Sequence, residues 1–381
     1  MKHIIALAAC TTLLLQACGQ NTEPAKKAER KLPELPKVET VYKLKDYLAE
    51  NEQLDKDVEA LFKSLDDTAI VAQLIMPAVG RLGQSNETIS NHISKRQIGG
   101  VLMLNGTKEE FTRWIKGFEE KNKALGNPGF LYSSDAEPSL VNRKIIGSQP
   151  VKKANEMKSI DEVKASAVTI SADLKAIGIN YNFAPVVDMS PNKTVGFRSF
   201  GAVPANIIPW SNAFIMTTQE REIIATAKHF PGHGLVSGDT HKALQVIDGE
   251  LKEIGNYPKL IEDGVLSIMI GHLAVQNNEK YNTDGLPATL SSVIVTDLLR
   301  NEMGFKGLIV TDAMNMGGVT SVGNSDVKAI EAGCDILLMP LDAAKAHSAI
   351  LAKYRSDAAF RAKVDASAKR VLRMKLCAGA I

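Results

Sequence analysis

The residue types able to do chemistry crowd into one short stretch. Lys228 to His241 reads K-H-F-P-G-H-G-L-V-S-G-D-T-H, and four of the seven histidines lie between His229 and His272. Pro231, Gly232, Gly234 and Gly238 break any regular element, which describes a mobile surface loop leaving the end of a strand. Three readings compete. The stretch could be a glycine-rich connection that happens to hold histidines. It could bind a metal through His229 and His233, which lie four apart. That spacing puts two ligands on one face only in a helix, and Pro231-Gly232 forbids the helix, so no metal is expected. The third reading is acid–base catalysis by Asp239 and His241, because a carboxylate beside an imidazole fixes its tautomer and poises it to exchange a proton near neutral pH.

The elements that must position this stretch repeat along the chain. Apolar runs bounded by turn residues occur at Leu74–Met76, Gly100–Leu104, Gly129–Tyr132, Tyr181–Ala184, Ile223–Ala227, Leu266–Ile270, Gly307–Val310 and Asp335–Leu338. Helical patterns fill the gaps, among them Lys108–Leu125, Ile160–Ile177 and Ser292–Met303. Strand and helix in alternation imply βαβ units and a parallel sheet, and eight units point to an α/β fold, a single (β/α)8 TIM barrel. A doubly wound open sheet is the alternative. Asp135, Asp188, Lys228 with His229, His272 and Asp312 each follow an apolar run. In a barrel such positions converge on the C-terminal rim, whereas in an open sheet they spread along an edge. Val41 to Leu65 shows helical spacing of leucines and is expected to cap the first strand.

K-H-F-P-G-H-G followed four residues later by D-T-H resembles the β-N-acetylhexosaminidases of glycoside hydrolase family 3, the NagZ-like branch, which usually shows D-S-H at Asp239-Thr240-His241. Three more segments agree: Gly307 to Met316 (G-L-I-V-T-D-A-M-N-M), Pro287 to Ser291 (P-A-T-L-S) and Thr296 to Arg300 (T-D-L-L-R). The resemblance covers about Leu65 to Met374, with motif order and spacing kept. It implies Asp312 as nucleophile, where the residue alone reads rather as a helix N-cap. Retaining cleavage needs a nucleophile at the anomeric carbon and a proton donor at the leaving oxygen. The resemblance therefore implies a covalent glycosyl intermediate on Asp312, with His241, oriented by Asp239, as acid and then base. No metal or organic cofactor is implied, and a loop carrying the acid/base is expected to close during turnover.

Sugar-holding roles carry over to Asp135 and Arg143 in D-A-E-P-S-L-V-N-R, to Arg198 in F-R-S-F-G, and to Lys228 and His229. Charged groups suit that task because charge-assisted hydrogen bonds are the stronger ones. His233 and His272 lie in family-like segments but could simply orient loops, so both stay outside the catalytic set. Pro138-Ser139-Leu140 departs from the family's G-G-R and should reshape the wall of the sugar pocket.

Composition sets the remaining bounds. The 381 residues carry net charge +2, with 45% hydrophobic and 23% charged, which is ordinary globular composition and offers nucleic acid no basic surface. Met1-Lys2-His3 followed by the apolar Ile4 to Leu15 is too short to span a bilayer of roughly 30 Å and reads as a signal peptide. Leu15-Gln16-Ala17-Cys18 resembles a lipoprotein cleavage box. We therefore expect residues 1–17 to be removed, Cys18 to be lipidated, 18–40 to form a flexible tether, and 41–381 to form the catalytic domain, exported and anchored to a bacterial membrane. Cys334 and Cys377 remain as thiols with no disulfide framework. The expected activity is exo-cleavage of terminal β-linked N-acetylglucosamine from peptidoglycan fragments or chitin-type oligosaccharides. Alternatives are a family 3 β-glucosidase, a β-N-acetylglucosaminide phosphorylase, and a non-catalytic sugar-binding surface lipoprotein.

Overall fold

The computed structural model describes residues 35–381; the expected signal peptide, Cys18 and most of the expected tether lie outside them. Twelve strands follow in chain order. They are β1 (Ile75–Met76), β2 (Ala78–Gly80), β3 (Gly100–Thr107), β4 (Leu131–Ser134), β5 (Ile145–Ile146) and β6 (Tyr181–Asn182). Next come β7 (Ile224–Phe230), β8 (Gln245–Asp248), β9 (Ser267–Ile270), β10 (Leu273–Gln276), β11 (Leu308–Thr311) and β12 (Leu337–Leu338). Seven of them form one curled parallel sheet in the order β11-β9-β7-β6-β4-β3-β2. β1 pairs in parallel with β12, and a bridge joins Val310 of β11 to Ile336 just before β12. Pro77 separates β1 from β2; it has no N–H to give a ladder, so the edge of the sheet breaks there.

Each of the eight apolar runs holds one of these strands, and their side chains are buried on both faces, as in sheets covered by helices. Helices Lys108–Ala124 and Ile160–Ile177 occupy two of the expected stretches, and a π-helix, Val293–Glu302, occupies the third. Their ends follow local chemistry. Thr107 and Glu110 make a capping box, while Ser159 caps Ile160–Ile177 and Gly178 closes it at φ 96°.

Helix Glu52–Ser64 does not lie over the first strand. Its apolar stripe, Leu54, Val58 and Leu61, is buried, and the helix packs along the last helix, Ala358–Cys377. Arg373 of that last helix donates to the carbonyls of Tyr47 (2.7 Å) and Ala49 (2.8 Å), tying the entry segment to the end of the chain. Leu35 and Val38 also rest on the core, so packing begins ahead of Val41.

Candidate active site

The site is built on β7. Lys228, His229 and Phe230 remain in the strand, fully enclosed, instead of lying in the loop, which starts at Pro231 where the proline and glycines begin. Burial of a lysine and a histidine is tolerable only if each polar head finds a partner. Lys228 Nζ reaches Asp135 Oδ1 (2.9 Å) and Glu137 Oε1 (2.6 Å). His229 Nδ1 lies 2.6 Å from Asp188 Oδ2.

The first group of charges gathers at the ends of β4 and β7 and in the turn around Arg198. Glu137, with no exposed surface, accepts two parallel bonds from Arg198, Nε to Oε2 (2.8 Å) and Nη2 to Oε1 (2.7 Å). Asp135 is bound on its second oxygen by Lys144 (3.1 Å). Burial alone would raise both carboxyls, but the cations outweigh it. Lys228 and Lys144 hold Asp135 well below the ordinary carboxylate range, and Arg198 with Lys228 brings Glu137 down to about 2. Lys228 is disfavoured as a cation by burial and restored above its usual value by Asp135 and Glu137. At neutral pH the cluster is three cations around two carboxylates.

Arg143 is not part of this cluster. It is exposed on the short helix Val141–Lys144, and its guanidinium makes no hydrogen bond or ion pair within the described residues. The cation that reaches Asp135 is its neighbour Lys144. Glu137 and Lys144 went unassigned in the sequence. Glu137 is the third residue of the D-A-E-P-S-L-V-N-R segment, which was its signal; nothing local separated Lys144 from Arg143. In the departing Pro138-Ser139-Leu140 turn, Ser139 Oγ donates to Phe197 O (2.6 Å) and accepts from Ala154 N–H (2.9 Å), while Leu140 is buried. The turn is thus stitched to the loop that carries Arg198.

Asp188 organises the second group. Besides the His229 ring it accepts the backbone N–H of His229 (3.1 Å) and of His233 (2.9 Å). Burial raises this carboxyl, yet His229 and His233 keep it below its usual value. Asp188 thus takes the ring of His229 and the backbone N–H of His233, while the His233 ring meets Thr240. Among the described residues no cluster of histidine, cysteine and carboxylate side chains is arranged to hold a metal ion.

Asp312 directly follows β11, half-buried, with its N–H bonded to Ile270 O (2.8 Å) and its Oδ1 accepting Ala313 N–H (2.8 Å). No helix starts there; the next one is Ser325–Ala332, so the N-cap role is not what holds Asp312. Burial pushes its carboxyl up, while His229, His272, Ala313 N–H and His241 together bring it below the ordinary value. It is anionic at neutral pH. His272, fully enclosed, binds Thr289 Oγ1 and Ala313 O (both 2.9 Å) and so fixes the backbone beside Asp312.

Asp239 and His241 stand as a pair, with His241 Nδ1 2.7 Å from Asp239 Oδ1 and the His241 N–H on the same oxygen at 3.0 Å. The imidazole is 61% exposed, and its Nε2 makes no hydrogen bond within the described residues. The loop is docked at both flanks. Gly317 N–H donates to His241 O and Gly318 N–H to Thr240 O, each at 3.0 Å. A side chain at Gly317 would meet Lys242 O at 2.3 Å, which explains the glycine. Thr240 Oγ1 meets His233 Nε2 at 3.0 Å, so a hydroxyl is required there and threonine supplies it as serine would. The loop that follows Asp312 thereby carries the loop that holds His241.

With this geometry described, the chain can be compared with known proteins. A β-hexosaminidase of Idiomarina loihiensis is 31% identical over 302 residues, 74% of this chain and 87% of the relative. The structure of a β-N-acetylhexosaminidase from Beutenbergia cavernae superposes with TM-score 0.72 at 27% identity, covering 81% of this chain and 98% of that one. A glycoside hydrolase family 3 β-N-acetylglucosaminidase from a Paenibacillus species superposes with TM-score 0.76 at 27% identity, covering 83% of this chain, which spans only 63% of that protein. The family model described as "Glycosyl hydrolase family 3 N terminal domain" matches residues 67–374, so the chain belongs to glycosyl hydrolase family 3.

Proposed function

We propose that this glycoside hydrolase is a retaining exo-β-N-acetylhexosaminidase acting on terminal β-linked N-acetylglucosamine. The observation that carries the reading is the docking of the Asp239–His241 pair onto the loop that follows the anionic Asp312. The names borne by the similar proteins support it. Asp312 attacks the anomeric carbon while His241 gives its Nε2 proton to the leaving oxygen. His241 then takes a proton from water, which displaces Asp312 and releases the sugar. Asp239 holds the tautomer, and Asp135, Arg198, Lys228 and His229 bind sugar hydroxyls.

The same proposal includes a closed (β/α)8 barrel, supported by the β1–β12 pair and the Val310–Ile336 bridge, which lie between the two ends of the seven-strand path. It also includes export and a lipid on Cys18, supported by the basic and apolar N-terminal sequence and its cleavage box. Peptidoglycan fragments or chitin-type oligosaccharides are the substrates an exported enzyme of this kind would meet.

The test is p-nitrophenol release from the β-N-acetylglucosaminide and the β-glucoside, with and without phosphate, by wild type and His241→Ala. We expect release from the first substrate alone, independent of phosphate, and we expect hydrolysis of the β-linked N-acetylglucosamine disaccharide, whose leaving group needs the proton, to slow by about 10²–10⁴-fold in the variant, the usual share of acid–base catalysis. Preference for the glucoside, or disaccharide hydrolysis indifferent to His241, refutes the reading. A glycosyl phosphate product identifies a phosphorylase, and no turnover of either substrate identifies a binding protein.

A further inference from the structure

Glu253 is a buried carboxylate with no cation beside it among the described residues. Its partners are three backbone N–H groups: Met189 (2.6 Å) and Gly234 (3.2 Å) on Oε1, and Leu235 (3.1 Å) on Oε2. These belong to two separate loops, and each continues directly into the site. Met189 follows Asp188, which holds His229 and His233. Gly234 and Leu235 follow His233, whose Nε2 meets Thr240 between Asp239 and His241. The fit is close. A Cβ on Gly232 would come within 2.3 Å of Glu253 Cβ, and one on Gly234 within 2.6 Å of Oε1 and closer still to Met189 O. Two of the glycines that make this stretch look like a plain flexible loop are therefore the space the glutamate occupies.

Behind the loop lies a cleft of about 360 Å³, lined in part by Pro231, Leu235, Val236, Val246, Leu251 and Glu253. Burial, and then the neighbouring Asp188 charge, push the Glu253 carboxyl up to about 7, while its three N–H partners act against them. Asp188 and Tyr257 are the ionisable groups against it, and His229 and His233 are bound in turn to Asp188.

We propose that Glu253 is a positioning residue for the acid–base loop, clamping the Met189 and Gly234–Leu235 backbones so that His233 and Thr240 seat His241. This rests on the reading of His241 as the acid/base. Misplacing a catalytic group by about 1 Å costs about 10²-fold, and the loss should fall where proton donation matters. A sugar leaving group needs the proton, whereas p-nitrophenolate leaves with little help.

The experiment compares kcat/KM for the p-nitrophenyl N-acetylglucosaminide and the β-linked N-acetylglucosamine disaccharide in the full chain, for wild type, Glu253→Ala, Glu253→Gln and His241→Ala. We expect Glu253→Ala to lower the disaccharide value by about 10–100-fold and the aryl value by less than about threefold. Glu253→Gln, which keeps the Oε1 acceptor but turns a donor toward Leu235 N–H, should fall between wild type and alanine with the same pattern. If Glu253→Ala does not fold, Glu253→Gln carries the comparison alone. Equal losses on both substrates, alongside a leaving-group-dependent His241→Ala, overturn the proposal and leave the dyad standing. A His241→Ala variant that does not discriminate between leaving groups overturns the dyad reading and the proposal with it.

Discussion

Replacing Glu137 by glutamine removes one buried negative charge and almost nothing else. The carboxylate accepts two bonds from Arg198 (2.8 and 2.7 Å), and Lys228 lies 2.6 Å away. In the variant, Asp135 alone faces Lys228, Lys144 and Arg198, and the new NH₂ group must point at a cation or displace one. Removing one partner of a buried ion pair costs about 3–5 kcal/mol, because the other charge stays buried and unpaired. For 381 residues, an unfolding entropy of about 2.1 cal/mol/K per residue gives about 0.8 kcal/mol/K, so the midpoint should drop by about 4–6 °C. The sign with pH follows from linkage. The folded carboxyl lies at about 2, below its ordinary value of 4.5, so its contribution is complete above the ordinary value and is lost as pH falls through that window. Urea unfolding of wild type and Glu137→Gln at pH 7, 4 and 3 should show a gap that narrows as the pH drops. A gap under about 1 kcal/mol at pH 7, the worth of a solvent-exposed pair, or one that stays constant down to pH 3, refutes the account of this cluster.

Two further outcomes follow from the same structure. Lys144→Met should raise KM for the aryl N-acetylglucosaminide by about tenfold, equivalent to about 1.4 kcal/mol, while Arg143→Met should leave it nearly unchanged; the reverse result would return the sugar contact to Arg143. Lys375 is buried with its Nζ 2.6 Å from Gln73 Oε1, and burial lowers it from 10.5 to about 7. Between those values the unfolded chain binds the extra proton, so stability should rise with pH, and Lys375→Met should flatten that rise in thermal unfolding scans from pH 7 to 10.

Some of this architecture was legible in the one-dimensional pattern because it depends on local rules. Apolar runs of strand length, separated by helical patterns, located eight of the twelve strands between Ile75 and Leu338; the short β2, β5, β8 and β10 were not among them. The stretch Ile160–Ile177 reads as helical, and the structure ends that helix with local caps at Ser159 and Gly178. The Asp239–His241 pair was equally readable, because two residues in a tight turn can bond whatever the rest of the fold does. Other features were not readable. Lys228 and His229 resembled loop residues because charge predicts exposure. They lie inside β7 because Asp135, Glu137 and Asp188, 41 to 93 positions away, come to meet them. The choice of Lys144 over Arg143 depends on which side of one short helix faces Asp135, which a four-residue element cannot reveal by periodicity.

The sequence by itself determined the order of the eight main apolar strands and the helices between them, the Asp239–His241 contact and the identity of the ionisable groups, since these follow from composition and spacing along the chain. Only the tertiary structure decided which charges are paired, which histidines bind a carboxylate, and that Glu253 occupies the space left by two glycines. Those outcomes depend on burial and on partners distant in sequence, and a buried charge has no fixed character until the fold brings it a partner.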